Sequence, residues 1–467
     1  MKIIPRDYQE EAINIGLDFF NTVRKLPPSL IIGATGSGKS VIIGHIAAQL
    51  DHPVLVLQPS VELLVQNHDK LLNYGGSATI YCSSLKQKEL SNTVFGTLES
   101  LRKKGKELRE FGIKYVIIDE AHYKYSPKTG SSFRKFIKDL KPNKVLGLTA
   151  TPFRLRSYGN RFSGYSQLNM LMKGVKGEPA FFKKILYNIS IEKMVSDKYW
   201  ANIDYECYDF DEGLLKFDNS NSDFTKESVS IAIKNQNINN NIYLRLRDLV
   251  SKGKRCLVFV DSVENSEKMG SLFGNLSASV SYMTSPEDRE RIIRDFKSGK
   301  ILVVCNYDTL GVGFDYPELD TVILGRPTNS LAKYYQWCGR VCRNPIFPDQ
   351  KQALLIDFCN NNKRFGNIQD LRLENVEKYG WGFFTSDNRL LTNTPMNVEV
   401  NKKDLYRNIS KYKSLKPKDM VLNFGKHKGK KLSEIPKGYL LFMKGNFDFN
   451  KNIEYKQLEI SIDEILK

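Results

Sequence analysis

The stretch GATGSGKSV, residues 33–41, sets the tightest limit on how this chain can fold. It follows the apolar run SLII and leads into IIGHIAAQL, so a buried strand must turn sharply and begin a helix. Gly33 to Ser40 matches G-x-x-x-x-G-K-[ST] in full. In such a turn backbone N–H groups converge on phosphate oxygens, Lys39 reaches the terminal phosphates, and Ser40 offers a hydroxyl to Mg²⁺. Gly33, Ala34, Thr35, Gly36, Ser37, Gly38, Lys39 and Ser40 therefore form a candidate nucleotide-phosphate site.

The surrounding pattern is α/β. SLIIGA, PVLVLQP, TIYC, YVIIDEA and KVLGLTA are short apolar runs bounded by turns or loops, with amphipathic stretches such as SVELLVQNHDKLLNY between them. That alternation predicts a doubly wound parallel sheet with ligands at the carboxyl ends of its strands. The pattern restarts near residue 254 with RCLVFV, SVSYMT, ILVVCN, TVILG and ALLIDF, so a second α/β sheet is expected. The link over about 155–235 lacks clear periodicity, and 360–400 reads as loops. The expected domains are 1–225, 226–380 and a small module over 381–467, of α+β or α type.

At 467 residues the chain exceeds one ordinary core. An excess of 70 Lys+Arg over 52 Asp+Glu leaves +18, which favours a polyanionic partner, nucleic acid first and a membrane surface second. The first residues lack the long apolar core of a secretory leader, and no apolar run is long enough to span a bilayer. The seven cysteines are scattered without metal-module spacing, so reduced thiols and a cytoplasmic location are expected. Richness in Lys, Asn and Ile points to an AT-rich genome such as a phage's, which would make that the host cytoplasm.

A second motif, IIDEAH at 117–122, ends a predicted strand. Asp119 leaving that strand is the expected second anchor for Mg²⁺. Glu120 beside it can polarise an attacking water, which a hydrolase requires and a kinase avoids.

These residues carry a family resemblance. DEAH with GATGSGKS, LTATPFR at 148–154 and QWCGRVCR at 336–343 resemble a superfamily 2 helicase. RDYQ at 6–9, LQPSVELLVQ at 57–66, LVFVDS at 257–262 and GVGFDYP at 311–317 extend the match over about residues 1–365 in the family's order. The likeness is strongest to RadD-like and phage DEAH-box DNA helicases, relatives of restriction-enzyme translocase subunits. RadD-like proteins often carry a cysteine cluster after the second lobe. No cysteine follows Cys359, so a zinc module is not expected.

The resemblance implies two RecA-like lobes in tandem, with ATP and Mg²⁺ as cofactors. By it, Arg6 and Gln9 of RDYQ would face the adenine. Ser40 and Asp119 would hold Mg²⁺, and Glu120 would direct the lytic water. His122 and Thr149-Ala150-Thr151 would couple the nucleotide to lobe movement. From the second lobe Gln336, Arg340 and Arg343 would face the γ-phosphate, with Gly313 and Asp315 near the ribose. Arginines on a separate sheet stabilise transition-state charge only when the lobes close.

Nucleic acid is expected across the top of both sheets. Ser60, Thr97, Ser262 and Asn306, with backbone N–H groups, would grip phosphates without reading bases. Residues 402–431 add eleven basic residues (402, 403, 407, 411, 413, 416, 418, 426, 428, 430 and 431) against Asp404 and Asp419, a net +9 in thirty residues. Lys426, Lys428 and Lys430 are its candidate DNA contacts, while Phe424, Tyr439, Leu440 and Phe442 are expected to form a mini-core. The expected activity is an ATP-dependent DNA helicase or translocase acting as a monomer on branched, forked or single-stranded DNA in replication, recombination or repair. An RNA helicase, or an ATP-gated clamp or motor subunit of a nuclease complex, stays open as an alternative.

Overall fold

A computed structural model describes the chain except for residues 1–3, 124, 126–127, 129, 159–164, 175–177, 219–222, 311–313, 378, 395–399, 406–419, 423, 448, 450–452 and 467. Its first strands are β1 (Ser29–Gly33), β2 (Val54–Gln58), β3 (Thr79–Cys82), β4 (Gln87–Lys88), β5 (Thr93–Thr97), β6 (Tyr115–Ile118) and β7 (Lys144–Thr149). β8 (Phe153–Tyr158) and β9 (Tyr165–Met170) pair in a ribbon of their own, and β10 (Lys184–Ile189) returns to the first sheet. That sheet runs β10-β1-β7-β6-β2-β5-β3-β4. Its pairs are parallel apart from β3–β4. β1, β2, β5, β6 and β7 are buried along their whole length, which is why most of them read as unbroken apolar runs.

The second sheet comprises β11 (Asn202–Cys207), β12 (Cys256–Phe259), β13 (Ser277–Val280), β14 (Val303–Asn306), β15 (Thr321–Leu324) and β16 (Gln352–Asp357), in the order β11-β16-β15-β12-β14-β13. All its pairs are parallel. Ile233, Ile242 and Leu246, from the helices Lys226–Asn235 and Ile238–Ser251, pack in one core with Val258 and Cys305. Each sheet with its helices is one lobe, as the alternating pattern predicts.

Both lobes lie in one compact unit, formed by the chain up to Arg154, Leu171–Asp218 and Asp223–Gln369. The second sheet starts before the expected lobe boundary at residue 225, because β11 already belongs to it. NIDYEC lacks an apolar signature because it is an edge strand whose side chains are mostly exposed or half-buried. β5 is equally inconspicuous in the sequence, since its Thr, Gly and Thr mask an otherwise buried strand.

The other unit takes Leu155–Met170 and the chain from Asp370 onward, so it starts before the expected residue 381. It holds the antiparallel hairpin β17 (Arg372–Val376) and β18 (Gly380–Phe384). Val376, Phe384, Leu390 and Leu405 form one small core. Met420, Leu422, Leu432, Ile435, Leu440, Met443, Phe449, Leu458 and Ile462 form another. Leu440 is inside it as expected, and Phe424 and Tyr439 flank it, whereas Phe442 is 59% exposed and lies outside.

Candidate functional site

Strand order brings the motifs together. β7 lies between β1 and β6, so the glycine turn after β1, Asp119-Glu120-Ala121-His122 after β6 and Thr149-Ala150-Thr151 at the end of β7 share one edge of the sheet. The helix Lys39–Ala48 starts at the turn, with Gly36 at φ 77° and Gly38 at φ 78°. Side chains with a Cβ resist that left-handed backbone, and at Gly38 a Cβ would collide with Gln9 Nε2. The helix's first turn leaves its N–H groups facing the cleft, a ready anion site.

Lys39 Nζ lies 3.7 Å from Glu120 Oε1. Asp119 is buried, and Asn67 Nδ2 donates to its Oδ2 at 3.0 Å while also donating to Gln58 Oε1 at 3.1 Å. Burial, reinforced by the Glu120 charge, pushes the Asp119 carboxyl up, a penalty that a divalent cation relieves. Glu120 holds φ 44°, unusual for a residue with a side chain, and its buried Oε2 has no hydrogen-bond partner. The donor set (the Ser40 hydroxyl, the Asp119 carboxylate, a phosphate-shaped backbone turn and an unsatisfied carboxylate oxygen) fits Mg²⁺ with a nucleoside triphosphate.

His122 links the two lobes. Its Nδ1 is 2.8 Å from Thr149 Oγ1 and 3.4 Å from Glu120 Oε2, and Gln336 Nε2 is 3.4 Å from its Nε2. Burial lowers the imidazole pKa to about 4, so the ring is neutral at pH 7. With Gln336 donating to Nε2, the ring proton sits on Nδ1 and points to Thr149. The Thr149 hydroxyl also accepts from the Thr151 N–H at 3.1 Å. A chain of contacts thus runs from Glu120 through His122 to a helix of the second lobe, Leu331–Cys338.

Arg343 of that lobe lies against the glycine turn, where a Cβ on Gly36 would meet its Cγ at 3.3 Å, and its Nη1 pairs with Asp315 Oδ1 at 2.5 Å. Arg340 is turned inward, donating to the carbonyls of Gln336 (3.2 Å) and Phe314, and burial lowers its pKa to about 10, which leaves it charged. Gln336, Arg340, Arg343 and Asp315 all line one cleft with Lys39, Ser40, Asp119, Glu120 and Ala150. Gly313 lies outside the described residues.

At the other end of the turn, Gln9 is buried and donates to the Ser37 carbonyl at 2.8 Å, while its Oε1 accepts from the Arg6 N–H at 3.0 Å. The Arg6 guanidinium lies 4.6 Å from the Tyr199 ring centroid, and Tyr199 stacks on Phe347.

Four residues at this site are not among those expected from the sequence. Asn67 and Lys70 come from the helix Val61–Asn73, whose positions 63, 66, 67 and 70 form one stripe lining the cleft. That helical spacing was a usable signal. Trp200 Nε1 donates to the Thr35 carbonyl at 2.9 Å, and the Tyr335 hydroxyl accepts from the Thr35 N–H at 3.3 Å. No local pattern announces either contact.

The expected nucleic-acid contacts fare unevenly. Ser60 and Ser262 follow β2 and β12 and cap the next helices, accepting from Leu63 N–H (3.3 Å) and Asn265 N–H (3.1 Å). Thr97 and Asn306 are buried. Thr97 bonds to Ser100 at 3.0 Å, and Asn306 Oδ1 accepts from the N–H groups of Thr309 and Leu310. In this arrangement both side chains are engaged by their own loops. Lys426, Lys428 and Lys430 are exposed on a tight turn closed by the Val421–Lys431 bridge. Arg407, Lys411, Lys413, Lys416 and Lys418, the middle of the basic stretch, lie outside the described residues.

Two family models match in tandem: the type III restriction enzyme res subunit over residues 2–154 and the helicase conserved C-terminal domain over residues 238–345. The chain belongs to the superfamily 2 helicases. A 51.5 kDa protein of a Lactococcus phage is 25% identical to this superfamily 2 chain over 334 residues, 70% of this chain and 65% of that one. The DNA 3'-5' translocase XPB2 of Sulfurisphaera tokodaii is 23% identical over 402 residues, covering 76% and 81% of the two chains. Three of the curated relatives are matched over only 65%, 51% and 58% of their own length. Among solved structures, the ATP-dependent type ISP restriction-modification enzyme LlaBIII bound to DNA superposes with a TM-score of 0.55 at 16% identity, over 77% of this chain and 28% of that one. That likeness supports the fold alone: both lobes have a RecA-like architecture.

Proposed function

We propose that the protein hydrolyses ATP to move along or unwind DNA, acting on branched or partly single-stranded substrates in replication, recombination or repair. The observation that carries this reading is the contact chain Glu120–His122–Gln336, which joins the position of the lytic base to the second lobe. Such a link ties hydrolysis to the position of the second lobe, which a motor requires.

Ser40 and Asp119 would hold Mg²⁺, and the glycine turn with Lys39 would hold the β- and γ-phosphates. Bound ATP supplies the phosphoanhydride whose hydrolysis changes the attraction between the lobes. Glu120 orients a water and takes its proton on the carboxylate. Arg343, carried by the other lobe, contributes positive charge at the cleft only while the lobes are together, so closure and hydrolysis are coupled. The buried, neutral His122 transmits the position of Glu120 to Gln336 without adding charge.

DNA is favoured over RNA by the names of the translocase and DNA-bound relatives, and the exposed lysines of the 421–431 turn suit a phosphate backbone. The test is the ATPase rate with no nucleic acid, single strand, duplex, fork, four-way junction and RNA, followed by strand displacement on the best DNA. Stimulation by fork or junction DNA with displacement is expected. Stimulation by RNA alone would make it an RNA helicase, and DNA stimulation without movement would make it a clamp or a motor subunit.

A further inference from the structure

Lys70 reaches across from the helix Val61–Asn73, and its Nζ donates to Ser40 Oγ at 3.2 Å. Ser40 is the hydroxyl that the Mg²⁺ reading requires. The lysine lines the same cleft as Lys39, Asp119, Asp315 and Arg343. Among the charges around it, Asp315 and Asp119 attract the ammonium and Arg343 repels it. A cation coordinated by Ser40 cannot share that oxygen with an ammonium group, because two positive charges would meet within a few ångströms. Asp315, meanwhile, is occupied by Arg343 at 2.5 Å.

We infer that Lys70 is a positioning residue that holds the Mg²⁺ place at Ser40 and is exchanged out of it on loading. With Mg²⁺ held at Ser40, Lys70 would give up that hydroxyl. Arg343 leaves Asp315 for the phosphates, and the vacated carboxylate receives Lys70. Three cations thereby shift by one partner each, and no charge is left buried without a counter-charge. The exchange ties metal loading on the first lobe to the release of Arg343 on the second. It also gives the metal-free site a cation of its own, so nucleotide can bind before Mg²⁺ arrives. This inference rests on the nucleotide reading of the site.

The test is equilibrium binding of a fluorescent ATP analogue to the full chain, in EDTA and across a Mg²⁺ titration, with thermal melting to verify the fold. In EDTA, Lys70→Met should weaken binding about tenfold, the scale of one charge-assisted contact, and Lys70→Arg should keep most of the affinity. In the titration, Lys70→Met should reach half-saturation at about threefold lower Mg²⁺, because the competing ammonium is gone. Asp315→Asn should shift that midpoint upward, since the displaced lysine loses its destination. If wild type binds the analogue and Lys70→Met matches it in both EDTA affinity and Mg²⁺ midpoint, Lys70 is only a tether and the inference fails. If wild type binds no analogue at any Mg²⁺ concentration, the nucleotide reading itself fails and takes the inference with it.

Discussion

The Trp200 indole N–H donates to the Thr35 carbonyl at 2.9 Å, joining the segment that leads into the second sheet to the phosphate turn of the first. Tyr335 accepts from the N–H of the same residue, and Gly339 packs so closely on Thr35 that a Cβ there would collide with its Cγ2. Thr35 is thus held by the second lobe on both its backbone polar groups. In this arrangement the second lobe orients the phosphate turn directly.

Trp200→Phe keeps an aromatic ring in the buried site and removes the donor. One hydrogen bond of about 1 kcal/mol corresponds to roughly a fivefold effect. Steady-state ATPase should show KM for ATP raised by about that factor, with little change in melting temperature. An unaltered KM would mean that the lobes hold the turn through packing alone.

Glu120→Gln should bind ATP and fail to turn it over, losing about 10²–10⁴ in kcat, because the amide keeps the shape and loses the proton acceptor. Lys39→Ala should lose binding as well, since Lys39 faces the cleft and supports no core. Filter binding of ATP beside single-turnover hydrolysis separates the two. Near-normal turnover by Glu120→Gln would remove it from the role of base.

Arg343→Ala should lower kcat far more than it raises KM, by about 2–4 kcal/mol of transition-state stabilisation. Asp315 then loses its partner and becomes the ammonium's neighbour without any exchange. A fall confined to ATP affinity would assign Arg343 to ground-state binding.

Changing Lys426, Lys428 and Lys430 together to Ala should spare the fold, because all three are exposed on the turn beside the core of Leu422, Leu432 and Leu440. Each lost phosphate contact flattens the log–log salt dependence of duplex binding by about 0.9, so a drop of up to about 2.7 is expected. An unchanged slope would make this turn a solvated face.

The chemistry of this site and the two-sheet plan are both legible in the order of residues alone. Gly33 to Ser40, Asp119 with Glu120, and Gln336 with Arg343 can be read because each motif is a short stretch whose geometry is local: a strand end, a tight turn, one face of a helix. The buried parallel strands are legible for the same reason, since a strand covered on both faces must be apolar throughout. Edge strands such as β11 escape that rule because water covers part of them. Which residues share the cleft follows instead from packing over long range. Asn67 meets Asp119 because β2 and β6 are neighbours, and Lys70 meets Ser40 because its helix packs beside the one that begins at the glycine turn. Thr35 meets Trp200 and Tyr335 across 165 and 300 residues of chain. Such pairings depend on strand order and on how two lobes dock, and neither is written in the periodicity of any single segment.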